Sequence, residues 1–334
     1  MGNTQSHVFA SLSLCSLYLL YSKIYCSYRV LSTKELHYNR QPSSAYLFLR
    51  YVSRCLRGPR GSGSDGARLE VTLHGCRLDL DLLRRFCSVG GYGWDYPDSE
   101  YRDIPLCFPE AVCFKLLLTL LTDQDFKLSP AGLVRVRQSI RSLQPVDELK
   151  KGLFQVRASV LVYRAVSGGE EVDIALSASS RNQSPVWESV LTLLSQTETH
   201  RRTKPAPLSR SNDAQMDLQQ VDLTVPRFPT MPCFSLWRAA SALCGLKSLM
   251  TPRLWMLSVC LAEIEKRRGS RSVTAPASVT VQFTEETTIP GTVQAQFWDS
   301  KDTVDQGSMK VCFSLMSAGS KRALMEGRLS SVND

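Results

Sequence analysis

The chain has 334 residues, 43% of them apolar and 21% charged, with a formal net charge of +9. This balance excludes an intrinsically disordered chain, and the length suits two ordinary domains. Residues 1–70 hold nine Lys and Arg against three acids, so the basicity marks the N-terminal segment. No zinc-finger spacing or RNA-binding aromatic signature accompanies it, which argues against a nucleic-acid partner.

Residues 8–28, VFASLSLCSLYLLYSKIYCSY, form an apolar and aromatic run close to bilayer length, interrupted by Lys23 and diluted by serines. Basic residues follow the run rather than precede it, so a cleaved signal peptide fits poorly. Residues 45–58, AYLFLRYVSRCLRG, are basic and amphipathic, suited to a membrane surface. Met1 to Ser6 match a myristoylation pattern, and Cys15 and Cys26 could be acylated. Residues 1–60 are therefore expected to associate with a membrane by spanning, lying on or being anchored to it. The charge asymmetry would place the body in the cytosol, on a membrane such as the endoplasmic reticulum, or in the cytoplasm without an anchor.

RGPRGSGSDGAR, 57–68, reads as a linker. Its G-x-G-x-x-G spacing is not a dinucleotide fingerprint, because no strand precedes it and a strand-like RLEVTL follows. A first domain is expected over 68–197. It begins with that strand and a short helix ending at Gly90-Gly91. A helix over about 110–122 follows, with Val112, Cys113, Leu116, Leu117, Leu120 and Leu121 giving one broad buried face. Four strands come next: GLVRVRQSIRSL, LFQVRASVLVYRAV, EVDIALSASSR and VWESVLTLLSQ, with a hairpin turn at Ser167 to Glu170. Residues 198–222 are polar and read as an inter-domain linker. In a second domain, 223–334, helical runs at 234–246 and 254–267 precede strands near 278–284, 291–298, 309–317 and 322–330. A greasy helix followed by strands is thus written twice.

Eleven cysteines occur singly, none with Cys-x-x-Cys spacing, so no metal site is expected and a reducing compartment is favoured. No serine-nucleophile elbow or phosphate-binding P-loop is present.

SVGGYG, FPEAVCF, GLVRVRQSI and LWMLSVCLAEIE, in this order of elements, resemble the MaoC-like dehydratases, the group that includes R-specific enoyl-CoA hydratases. The resemblance covers most of residues 68–334. It implies an α+β double hotdog, in which two antiparallel sheets each wrap a long central helix, behind the N-terminal hydrophobic helix. It implies an acyl-CoA or acyl carrier protein thioester as ligand, and no cofactor. The family motif G-D-x-N-P-(I/L/V)-H, aligned on Ser241, puts Thr230 at the catalytic Asp, Pro232 at the Asn and Ser235 at the catalytic His. The family's A-H-G-M-W is echoed by Thr251 to Trp255, with Trp255 alone kept. Hydration needs a base to activate water and an acid to protonate carbon, and Ser or Thr titrates too far from neutrality to replace an Asp–His pair. The implied function is a catalytically degenerate acyl-thioester binder. A hotdog thioesterase, with Glu110 at the start of the first helix as its carboxylate, is the second reading, and a non-enzymatic scaffold the third. Arg135, Arg137 and Arg141 form a basic row along a strand. Arg135 and Arg137, with Trp255, are the candidate ligand contacts, the arginines for coenzyme A phosphates.

Overall fold

The computed structural model describes residues 18, 21–31, 35–57, 69–93, 96, 103–196, 219–225, 251–284, 291–300, 308–317 and 323–332. Residues 21–31 form a helix, α1, followed by a three-residue strand β1 (Glu35–His37) and helix α2 (Ser44–Arg57). Then come β2 (Glu70–Cys76) and α3 (Leu80–Val89), which Asp79 caps by accepting from the Leu82 amide at 3.1 Å. The central helix of the first half is α4 (Phe108–Leu121), with Pro109 in its first turn, where a missing N–H costs nothing. Four strands follow: β3 (Leu133–Ser142), β4 (Phe154–Val166), β5 (Gly169–Ser179) and β6 (Pro185–Gln196). The second half is β7 (Gln219–Val225), helix α5 (Thr251–Arg268), β8 (Ala277–Phe283), β9 (Gly291–Asp299), β10 (Ser308–Ser317) and β11 (Ala323–Val332).

The strands make one eleven-stranded sheet in the order β1-β2-β4-β5-β6-β3-β8-β11-β10-β9-β7. Every neighbouring pair is antiparallel except β1–β2. The halves meet at β3–β8, where Arg137 to Ser142 pair with Gln282 to Ala277. Each half is thus an antiparallel sheet with one long helix against it: α4 packs on β2, β4 and β5, and α5 on β10.

The sequence suggests one broad buried face for the first helix. In fact α4 buries twelve of its fourteen residues, so it is enclosed on nearly every side. A helix apolar all round is stable only when so enclosed, each buried Leu being worth roughly 1.5–3 kcal/mol. Part of the enclosure comes from the segment read as a separate leader. Leu36, Leu47 and Tyr51 are buried in the core, and α2 packs against α4. The Arg54 guanidinium donates to the Phe126 carbonyl at 2.6 Å. Residues 35–57 therefore belong to the first body.

At the other boundary, β7 begins at Gln219, inside the stretch read as linker, and pairs with β9 as the far edge of the second sheet. Most of the apolar run 8–28, the linker 58–68 and the helical run 234–246 lie outside the described residues. Among the described residues no helix is long and apolar enough to cross a membrane.

Candidate functional site

A β-bulge in β3 builds a polar cluster in the interior. Plain alternation would put Arg135, Arg137 and Arg141 on one face. In the pairing with β6, however, Arg135 opposes Leu193 and Arg137 opposes Thr192, so Val136 is an extra residue. The parity of the strand flips there. Leu133 and Arg135 point inward before the bulge, and Gln138, Ile140 and Ser142 after it, while Arg137 and Arg141 face out. The basic row does not act as a unit.

Arg135 is fully buried and donates to Glu110 Oε1 at 2.5 Å and to Gln138 Oε1 at 2.8 Å. Gln138 Nε2 donates to Glu110 Oε2 at 2.7 Å and to Ser189 Oγ at 3.2 Å. Both carboxylate oxygens of Glu110, 2% exposed at the start of α4, are therefore engaged by side chains of β3. A thioesterase base needs an oxygen facing substrate or water; this one faces a guanidinium and an amide. Arg135, inside the protein, has no reach to a coenzyme A phosphate. Arg137 is half exposed and pairs with Glu171 at 2.6 Å.

The second helix meets this cluster at its N-terminus. Arg253 donates from Nη1 to the Arg135 carbonyl, and its guanidinium lies 5.6 Å from the centre of the Phe283 ring. Pro252 beside it offers no N–H to a ligand. Trp255, 4% exposed, donates from Nε1 to the Val89 carbonyl at 3.0 Å, tying α5 to the end of α3. This seam requires Gly90: a Cβ there would lie 2.6 Å from Ser258 Oγ and 2.9 Å from the Phe86 carbonyl. Further along, the Tyr96 hydroxyl lies 3.0 Å from each oxygen of Glu265, a buried carboxylate of α5. Sequence reasoning missed Arg253, Gln138 and the Tyr96–Glu265 pair. The partners in that pair are 169 residues apart and no local pattern joins them.

The aligned catalytic positions Thr230, Pro232 and Ser235 lie outside the described residues, as do His7 and His200. His37 and His74 sit opposite each other on β1 and β2 with ring centres 6.0 Å apart. That pair is at one edge of the sheet, with four strands between β2 and β8. Neither imidazole is on a strand next to the start of α5. Among the described residues no three His, Cys, Asp or Glu side chains converge as metal ligands.

Solved structures share this architecture. HtdX of Mycobacterium tuberculosis superposes with a TM-score of 0.55 at 18% identity, covering 78% of this chain and 98% of that one. A MaoC-like dehydratase of Phytophthora capsici gives 0.56 at 16%, covering 85% and 99%. A conserved hypothetical protein of Mycobacterium tuberculosis, described as having a double hotdog fold, gives 0.51 at 11%, covering 77% and 93%. The fold is the double hotdog. No family model matches the sequence, and no curated protein matches it. At these identities the likeness establishes architecture, and chemistry must be argued from this chain's own residues.

Proposed function

We propose that this double hotdog binds acyl thioesters without hydrating them. The observation that carries the reading is the start of α5. There the family's A-H-G-M-W echo has become Thr251-Pro252-Arg253-Leu254-Trp255, and Arg253 is spent on the Arg135 carbonyl and the Phe283 ring. The aligned Asp and His positions hold Thr230 and Ser235. Loss of one general acid or base typically removes ~10²–10⁴-fold in rate. The two described imidazoles face each other on β1 and β2, at one edge of the sheet.

The acyl-thioester ligand is supported by likeness of fold and by the exposed arginines of β3. Arg137 and Arg141 face out beside the junction of the two sheets, where phosphate oxygens could meet them. The engaged state of Glu110 weighs against the thioesterase reading.

The purified chain should show no hydration of crotonyl-CoA or longer enoyl-CoAs, followed by loss of enoyl-thioester absorbance. It should bind saturated acyl-CoAs in calorimetric titration, more weakly after Arg137→Gln. Robust turnover abolished by Ser235→Ala would overturn the degenerate reading. Absence of binding across chain lengths would leave the scaffold reading.

A further inference from the structure

Large apolar side chains usually turn inward, and arginines outward. Helix α2 departs from this rule twice, burying an arginine on one face and exposing leucines on another. Leu47, Tyr51 and Arg54, spaced i, i+4 and i+7, are buried, and Arg54 is held by the Phe126 carbonyl. Ala45, Leu49 and Leu56 lie on another face with the same helical spacing and are exposed, with Val52 partly so. Leu49 is 53% and Leu56 82% exposed. Helix α1 repeats the pattern. Ser27 is buried, donating to the Lys23 carbonyl at 2.7 Å and meeting the amide and hydroxyl of Ser43. Ile24, Val30 and Leu31 are half-buried. Tyr18, Tyr21, Tyr25 and Tyr28, spaced three or four apart, are each more than half exposed. The Tyr21 and Tyr25 rings stack on one another at 6.2 Å.

The charge around these side chains selects what covers them. Residues 18–57 contain seven Lys and Arg and one acid, Glu35. Lys23, Arg29, Arg40 and Arg57 are exposed. A second copy of the chain, joined by a two-fold axis, would bring this positive patch against itself. A surface that offers both hydrocarbon and anions suits it better. Tyrosine favours the headgroup level, where its ring is apolar and its hydroxyl wet, and leucine enters the acyl boundary.

We propose that the outer faces of α1 and α2 form a docking surface for an anionic lipid bilayer. Tyr18, Tyr21, Tyr25, Tyr28, Leu49 and Leu56 enter the interface, and Lys23, Arg29, Arg40 and Arg57 meet lipid phosphates and carboxylates. Leu47 and Tyr51, on another face of α2, stay in the protein core, so docking needs no unfolding of the first sheet. The proposal is independent of the acyl-thioester reading, since none of these residues belongs to the Glu110 cluster or to the start of α5.

The test is flotation of the full chain with vesicles of phosphatidylcholine alone and of phosphatidylcholine mixed with phosphatidylserine. Binding should occur on the mixed vesicles and fall as salt is raised. Leu49→Ser with Leu56→Ser should weaken it about tenfold or more, from lost apolar burial. Lys23→Gln and Arg57→Gln should each weaken it about fivefold, from a contribution of ~1 kcal/mol per cation near an anionic surface. All these sites are exposed, so thermal unfolding should be unchanged in each variant. No binding to the mixed vesicles would overturn the proposal. So would binding that the leucine and charge variants leave unchanged, or a concentration-dependent dimer that the leucine variant dissolves.

Discussion

The Glu110–Arg135 pair is an ion pair buried in the first half, and its energetics are testable. The Arg135 side chain is 0% and the Glu110 side chain 2% exposed, so water screens neither. Removing one partner leaves the other charge buried and uncompensated, which typically costs about 3–5 kcal/mol. Arg135→Met should fall in that range, since Gln138 alone would remain to donate to Glu110. Glu110→Leu should cost a similar amount, stranding the guanidinium against the Gln138 oxygen. The double variant replaces both charges with apolar groups of similar length and should lie within about 1 kcal/mol of the parent, or above it. The coupling energy from the cycle is then about 5 kcal/mol or more. Urea unfolding followed by tryptophan fluorescence reads this directly, because Trp187 is buried on β6 two residues from Ser189, the Gln138 partner. Single variants that each cost under about 1 kcal/mol would refute the structural role. A double variant that costs the sum of the singles would refute the pairing.

Two further outcomes follow from buried geometry. Burial first, and then the neighbouring Asp147 carboxylate, push Asp103 up to about 7, against accepted bonds from the Val146 and Asp147 amides. The folded state therefore prefers the protonated acid. Its stabilising contribution is full below the ordinary carboxylate range and is lost as pH rises through 7. Asp147→Asn should flatten that decline in an unfolding series from pH 4 to 8, and an unchanged slope would remove Asp103 as its source. Separately, a Cβ at Gly327 would lie 2.3 Å from Phe313 Cζ and 2.9 Å from the Thr280 carbonyl. Gly327→Ala should cost about 1–3 kcal/mol, partly recovered by Phe313→Leu, and a neutral result would mean that β10 and β11 part easily.

Much of the architecture could be read along the chain. The helices expected over about 110–122 and 254–267, found at Phe108–Leu121 and Thr251–Arg268, were legible because a helix apolar over several turns has few alternatives to burial. The hairpin at Ser167 was legible because two glycines separate two alternating runs, and Val166 does pair with Gly169. The structure of residues 35–57 was not. Basic amphipathic periodicity is equally suited to a lipid surface or a protein core, and α2 uses one face for the core while leaving Leu49 and Leu56 exposed. The strand at Gln219 was hidden among polar residues because an edge strand, paired on one side, needs little apolar pattern.

The arginine row failed for a different reason, since alternation holds only while pairing stays one to one. With Val136 as an extra residue, Arg135 moves to the face of Gln138 and Ile140, and the cluster on Glu110 becomes possible. Deleting Val136 should leave a continuous alternation that keeps Leu133, Arg135, Gln138 and Ile140 inward. The deleted protein should then fold, with a loss of about 1–3 kcal/mol from changed twist. Phenylglyoxal should modify Arg137 and Arg141 but spare Arg135, as peptide mapping would read. Retaining the bulge but substituting Arg135→Asp, which sets two acids together in the interior, should abolish folding. If the deletion instead unfolds the protein or makes Arg135 reactive, β3 is not rephased at Val136. The inward arginine would then need another cause.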